Sequence, residues 1–125
     1  MKEVLAIVRL NRVNQTKEAL ASNGFPAFTC RKVLGRGKKS VDANVLQYVL
    51  DTGELPTSPT GEHMTEAGRL IPKRAFTIVV KDEDVWKVVK TIMDTNITGN
   101  PGDGKIFVLP IFETYRVRDG QMTEE

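Results

Sequence analysis

Residues 75–93 read AFTIVVKDEDVWKVVKTIM, and this stretch decides the fold because its hydrophobic period changes within a few residues. Ala75 to Val80 is a β-branched and aromatic run following Pro72, which predicts a strand. Asp82, Glu83 and Asp84 then supply the negative charge that a helix start favours. Beyond them Val85, Val88, Val89, Ile92 and Met93 recur at i, i+3, i+4, i+7 and i+8, the spacing of one apolar helix face. Strand passes into helix here, and the same alternation extends outward on both sides.

Toward the N-terminus, EVLAIVRL at residues 3–10 places Val4, Ala6, Val8 and Leu10 on one face and Leu5 and Ile7 on the other, a strand buried on at least one side. Asn11 or Asn14 can cap the next segment, which carries Val13, Leu20 and Ala21 and ends at Asn23-Gly24, a pair suited to closing a helix. Phe25 to Val33 has the composition of a second strand, closing at Gly35-Arg36-Gly37. Toward the C-terminus, Gly99, Pro101, Gly102 and Gly104 interrupt the pattern. Ile106 to Ile111 then predicts a fourth strand and Glu113 to Arg118 a shorter extended segment, with a polar, mobile tail from Asp119.

The order β-α-β-loop-β-α-β predicts an α+β, ferredoxin-like fold: an antiparallel sheet with two helices on one face. Residues 1–125 read as a single domain, with a long flexible loop at about 38–72 punctuated by Thr52-Gly53, Leu55-Pro56, Ser58-Pro59 and Thr60-Gly61. Within that loop Val41, Val45, Leu46, Val49 and Leu50 fall at helical spacing, the pattern of a short amphipathic helix.

A 40% hydrophobic and 27% charged composition suits a folded domain and not a disordered chain. No apolar run approaches the length of a bilayer span and no signal-peptide pattern opens the chain, so a cytoplasmic protein without membrane insertion is expected. Cys30 is the sole cysteine and His63 the sole histidine, which excludes an internal disulfide and argues against a bound structural metal. The net charge of +2 does not by itself imply nucleic acid, so any anion site must come from local clustering of basic groups.

Such clusters exist. TGNPGDGKIFVLP, Thr98 to Pro110, combines Gly99, Gly102 and Gly104 with Lys105, a pattern that can expose successive backbone N–H groups to a polyphosphate beside a point charge. It equally suits a plain turn into a strand at Asp103-Gly104, and it lacks the spacing of a Walker A loop. Arg116 and Arg118 would project from one face of an extended segment as a fork for phosphate oxygens, or as a charged strand edge. Gly35-Arg36-Gly37-Lys38-Lys39 and Pro72-Lys73-Arg74 repeat the basic theme.

Taken together these stretches resemble the PII signal-transduction family along almost the whole chain, on VLGRGKK at 33–39, IPKRAFTIVV at 71–80 and TGNPGDGKIFVLPIFETYRVRDG at 98–120. The resemblance implies a trimer whose clefts bind ATP or ADP and report 2-oxoglutarate. Carried over by position, Gly102, Gly104 and Lys105 would hold the phosphates together with Arg116 and Arg118, Gly37 and Lys38 would close over them, and Gly35 and Asp103 count among the nucleotide-binding residues. Ile7, Thr29, Thr77 and Val79 would surround the base, Thr29 through its hydroxyl and Val79 through its main chain. Lys39 and Lys73 stand where the family contacts 2-oxoglutarate. The family's usual arginine and glutamine are here Lys38 and Lys39, and an ammonium group cannot coordinate a metal, which argues against the standard Mg²⁺ site on this subunit.

The opening MKEVLAIVRLN, FPAFTCRKVLGRGKK and the enlarged loop resemble the nitrogenase-associated branch, whose paired paralogues switch nitrogenase off. This implies a regulator and not an enzyme, acting on the dinitrogenase component as a homotrimer or as a mixed assembly with a paralogous PII subunit. Tyr48, the loop's one tyrosine, lacks the familiar setting of a modified residue. A general regulator of an ammonium transporter or glutamine synthetase is the alternative within the family. A small phosphoryl-hydrolysing enzyme would need a base or water-positioning residue that does not stand out, and an RNA-binding module would need an aromatic pattern that does not surround Phe107.

Overall fold

Four of the sequence's strand-like runs are strands in the computed structural model, which describes residues 1–36 and 70–124. EVLAIVRL supplies β1 (Lys2–Val8), whose burial alternates residue by residue. A 3-10 turn at Leu10–Arg12 leads into α1 (Val13–Ser22). Strand β2 spans Thr29–Gly35 and β3 spans Ile71–Val80. A second 3-10 turn at Asp82–Asp84 opens α2 (Val85–Asn96), and β4 is Lys105–Pro110. The sheet order β2-β3-β1-β4, with β1 antiparallel to both β3 and β4, is that of the ferredoxin-like α+β fold.

Register divides the sheet into two unlike faces. Val4, Ala6 and Val8 pair with Ile78, Phe76 and Arg74 on β3, and Val4 and Ala6 with Val108 and Ile106 on β4. Partners in a ladder share a face, so this set lies on the side that carries the core. There Val4, Ala6, Val8, Phe76, Ile78 and Val80 pack with Leu20 of α1 and with Val88 and Ile92 of α2. The opposite face presents Leu5 flanked by Thr77 and Phe107 and Ile7 flanked by Ala75 and Lys105, with Val79 and Leu109 beside Glu3. Val79, Phe107 and Leu109 are exposed there.

The Asn23-Gly24 reading holds in detail. Phe25 N–H donates to Leu20 O and Gly24 N–H to Ala21 O, with Gly24 at φ +90°, the Schellman closure of α1. Other expectations are corrected. Neither Asn11 nor Asn14 caps α1: Arg12 stands at the N-cap and no side chain caps it, while Thr16 Oγ1 donates back to Arg12 O at 2.7 Å. The inward face of α1 runs through Val13, Thr16 and Leu20, so Ala21 is exposed. Met93 likewise turns outward on α2.

The second strand starts at Thr29 and not at Phe25, because Phe25 is spent in the helix closure and Phe28 packs its ring 5.4 Å from Phe76. Strand β3 begins at Ile71 and includes Pro72. The fourth strand begins one residue early, at Lys105 opposite Ile7, and ends at Pro110.

The expected extended segment at Glu113 to Arg118 is extended only as far as Tyr115, and the chain then closes into a turn. Gly120 N–H donates to Arg116 O and Arg116 N–H to Gln121 O, and Tyr115 bridges Met122. The tail from Asp119 is consequently folded back, with Thr123 N–H donating to Thr114 O. The chain divides into two compact units, Met1–Val33 with Lys73–Glu125, and Leu34–Pro72. Of the second, the described residues are the end of β2, the start of β3 and their flanks. The loop at 38–72, apart from its last residues, and the short helix expected around Val41 to Leu50 lie outside the described residues.

Candidate functional site

The glycine-rich stretch before β4 is held from within. Asp103 accepts from Thr98 N–H at 2.8 Å and Gly99 N–H at 2.9 Å, and the Thr98 hydroxyl donates to its other oxygen. Arg9, at the end of β1, donates to Pro101 O at 2.8 Å and approaches Asp103 at 3.4 Å. Lys73 on β3 donates to Gly102 O at 2.8 Å. The Thr98 hydroxyl, then the Thr98 and Gly99 N–H groups and Arg9, hold the Asp103 carboxyl down to about 2. Asp103 was expected among the nucleotide-binding residues, and its carboxylate is engaged within the loop as the brace that shapes it.

Gly104 is the position where only glycine fits. Its φ is +105°, and a Cβ built there would lie 1.8 Å from the carbonyl oxygen of Ile7. The main chain of the loop thus lies directly against β1 just before Lys105 pairs with Ile7. That register puts Lys105 on the face opposite the core, together with Ile7. Thr77 and Val79 of β3 share this face through their pairing with Leu5 and Glu3. Cys30 packs against the core, so alternation along β2 turns Thr29 to the same open side. Ile7 and Thr77 are half-buried; Thr29, Val79 and Lys105 are exposed. Gly35 is the last residue of β2. Gly37, Lys38 and Lys39 lie outside the described residues.

The expected base-contacting residues and Lys105 therefore share one sheet face, with Lys73 tied to the adjoining loop. Arg116 and Arg118 do not join them on this chain. Ile111 N–H donates to Met1 O and Thr114 Oγ1 lies 4.0 Å from Met1 Sδ, so the C-terminal segment sits at the Met1 end of β1, whereas Gly104 and Lys105 sit at the Ile7 end. Six residues of strand separate those ends by about 20 Å. Arg116 is moreover engaged by Asp119, at 3.0 Å from Nε and 2.7 Å from Nη2, and this contact, aided by the Gln121 N–H, lowers the Asp119 carboxyl below its usual range. Arg118 is exposed. Since 116–120 is a turn, the two guanidiniums are not the parallel fork expected of an extended strand.

Arg9 is the residue that sequence reasoning missed. Its one signal was position, a cation closing an alternating strand whose end must meet the next loop of the sheet. No group of His, Cys, Asp and Glu among the described residues is arranged to hold a metal ion. Among them no helix is long and apolar enough to cross a membrane.

Comparison with known proteins bears on the whole chain. The family model described as "Nitrogen regulatory protein P-II" matches residues 1–121. The "Nitrogen fixation nifHD region GlnB-like protein 2" of Methanothermobacter marburgensis is 42% identical over 126 residues, covering 100% of this chain and 98% of its own. Methanothermococcus thermolithotrophicus has two similar proteins. Its nifHD region GlnB-like protein 2 is 45% identical, over 99% of this chain and 96% of its own. Its protein 1 is 37% identical, over 97% of each.

Proposed function

The chain belongs to the nitrogen regulatory protein P-II family, and from that premise we propose that it senses ATP or ADP and switches nitrogenase by protein–protein contact. The site is completed between copies of the chain in a trimer. One observation carries this reading: the loop around Gly102 to Lys105 and the arginines Arg116 and Arg118 occupy opposite ends of β1. A polyphosphate held by both sets needs a second chain to supply one of them. The sheet face that shares Lys105 leaves Val79, Phe107 and Leu109 exposed, apolar area that an assembly of copies would remove from water.

In that cleft Lys105 supplies a mobile positive charge and the neighbouring copy's turn at 116–119 supplies guanidiniums, which suit phosphate oxygens. Ile7 and Val79 offer apolar contact to a base, and Thr29 and Thr77 hydroxyls offer hydrogen bonds. Gly35, Gly37 and Lys38 close over the phosphates from the end of β2. Lys73, with Lys39, takes the carboxylate of 2-oxoglutarate, a step that would exchange the bond of Lys73 to Gly102 O for one to the effector. Lys38 and Lys39 offer no metal ligand, so these side chains do not hold Mg²⁺.

The relatives' names associate them with nitrogen fixation, which favours the dinitrogenase component of nitrogenase as the target. Similarity to both a protein 1 and a protein 2 of one organism supports a mixed assembly with a paralogous subunit as the working form, the homotrimer being the other.

Complementation tests the shared site. Lys105→Ala chains and Arg116→Ala/Arg118→Ala chains should each lose nucleotide binding by calorimetry, about tenfold or more. Unfolded and refolded together, they should regain it at interfaces that pair an intact Lys105 with intact arginines, up to about a quarter of sites on random mixing. Failure of the mixture to bind above either parent would sink the shared-site reading. A pull-down of dinitrogenase that responds to ADP against 2-oxoglutarate tests the target.

A further inference from the structure

On the core side of the sheet, across β3 from Lys73, a cavity of about 400 Å³ is lined by Leu10, Val13, Asn14, Lys17, Cys30 and Arg74. That size falls within the range of small-molecule pockets. Arg74 pairs with Val8 and so projects to the side away from Lys73 and Lys105. The cavity therefore uses none of the residues assigned to the nucleotide.

Its chemistry is one-sided. Arg74 Nε is buried and has no hydrogen-bond partner among the described residues. No carboxylate among the described residues lies within ion-pair distance of Arg74 or Lys17. Buried polar groups in folded proteins are overwhelmingly paired, and a buried guanidinium donor without an acceptor calls for one. Val13 and Asn14 belong to the first turn of α1, whose dipole adds to the same positive field although the Val13 N–H is donated to Leu10 O. Leu10, Val13 and Cys30 supply the apolar remainder of the lining.

We propose that this cavity is a second anion site, taking a small organic oxyanion whose phosphate or carboxylate bridges Arg74 and Lys17 and whose apolar part lies on Leu10 and Val13. A guanidinium offers its Nε–H and an Nη–H as a matched pair to two oxygens of such a group. The lysine, from the exposed side of α1, closes over it as a point charge. The site is distinct in face and in residues from that proposed for the nucleotide, and stands or falls separately from it.

The test is NMR on the ¹⁵N-labelled full chain, following the arginine Nε–H signals during titration with phenyl phosphate, phenylacetate and inorganic phosphate. The expected result is a saturable shift of the Arg74 Nε–H with at least one phenyl probe at millimolar concentration, weakened about threefold or more by Lys17→Gln and unchanged by Lys105→Ala. A response to phenyl phosphate alone assigns a phosphate ligand, and a response to phenylacetate alone a carboxylate. The proposal is overturned if no probe moves the Arg74 signal up to about 20 mM. It is equally overturned if the shift disappears in Lys105→Ala, which would place the anion at the glycine loop. Because Lys17 is exposed, its substitution leaves the fold intact, and the wild-type titration decides the matter without any variant of Arg74.

Discussion

Replacing Gly104 with alanine tests the close approach of the glycine loop to β1. At φ +105° an alanine carries a backbone strain of about 1–2 kcal/mol. Its Cβ would also lie 1.8 Å from Ile7 O and 2.9 Å from Ile7 C, main-chain atoms that no rotamer change can move aside. Relief requires the start of β4 to leave β1, opening the pairing of Lys105 with Ile7, a repacking that costs about 1–3 kcal/mol more. The reduced freedom of the unfolded chain offsets about 0.4–1 kcal/mol. The net expectation is a loss of about 2–4 kcal/mol, or about 10 °C in Tm for a domain of this size.

Gly99→Ala is the control, because Gly99 has φ +82° with nothing within 4 Å of the added methyl, and strain alone leaves a cost of about 1 kcal/mol or less. Urea unfolding of both variants at one protomer concentration measures the difference. If the two cost the same within about 0.5 kcal/mol, the steric account of Gly104 is wrong.

Two further outcomes follow from the same geometry. The Asp103 carboxyl, lowered to about 2, contributes to the loop above the ordinary carboxylate range, and that contribution is lost as pH falls through about 2. The Thr98 and Gly99 amide signals should accordingly titrate near pH 2 in NMR and stop titrating in Asp103→Asn; a midpoint near pH 4 would contradict the brace. Thr16→Val removes the buried hydroxyl that accepts from Asn96 Nδ2 at 3.0 Å, leaving that amide its bond to Ile92 O. Denaturant unfolding should show a loss of about 1–2 kcal/mol, and a neutral result would mean the α1–α2 polar contact contributes nothing.

Much of the fold was readable because its strands and α2 announce themselves by period. Val4, Ala6 and Val8 alternate and are the core, and Val88 and Ile92 lie where the helical spacing put them. What escaped was chemistry without period. Thr16 and Asn96 are polar, so no hydrophobic pattern marks them as buried, yet Asn96 Nδ2 donates to Thr16 Oγ1 between the helices. Phe25 and Phe28 look like strand residues by type, but one ends a helix and the other plugs the core. The segment after Glu113 alternates well enough to suggest extension, and Asp119 bending back to Arg116 overrides it.

In the glycine-rich stretch, residue types marked out the loop, while what shapes it lies in tertiary pairing. Nothing local reveals that Gly104 faces Ile7 O or that Arg9 reaches Pro101 O. The separation of Lys105 from Arg116 and Arg118 is likewise a property of the sheet register and the C-terminal turn, invisible to spacing along the chain.

The bonds of Arg9 to Pro101 O and of Lys73 to Gly102 O have a consequence for signalling. They set the loop's shape from the protein's own cations, so the phosphates of the proposed nucleotide would meet a preformed cradle and spend little affinity on ordering it, and the exchange proposed for Lys73 would remove one of its two ties. If the proposed nucleotide site holds, discrimination between di- and triphosphate would rest on whichever contacts differ between those two ligands, for only a difference in affinity between states can bias what the molecule does next.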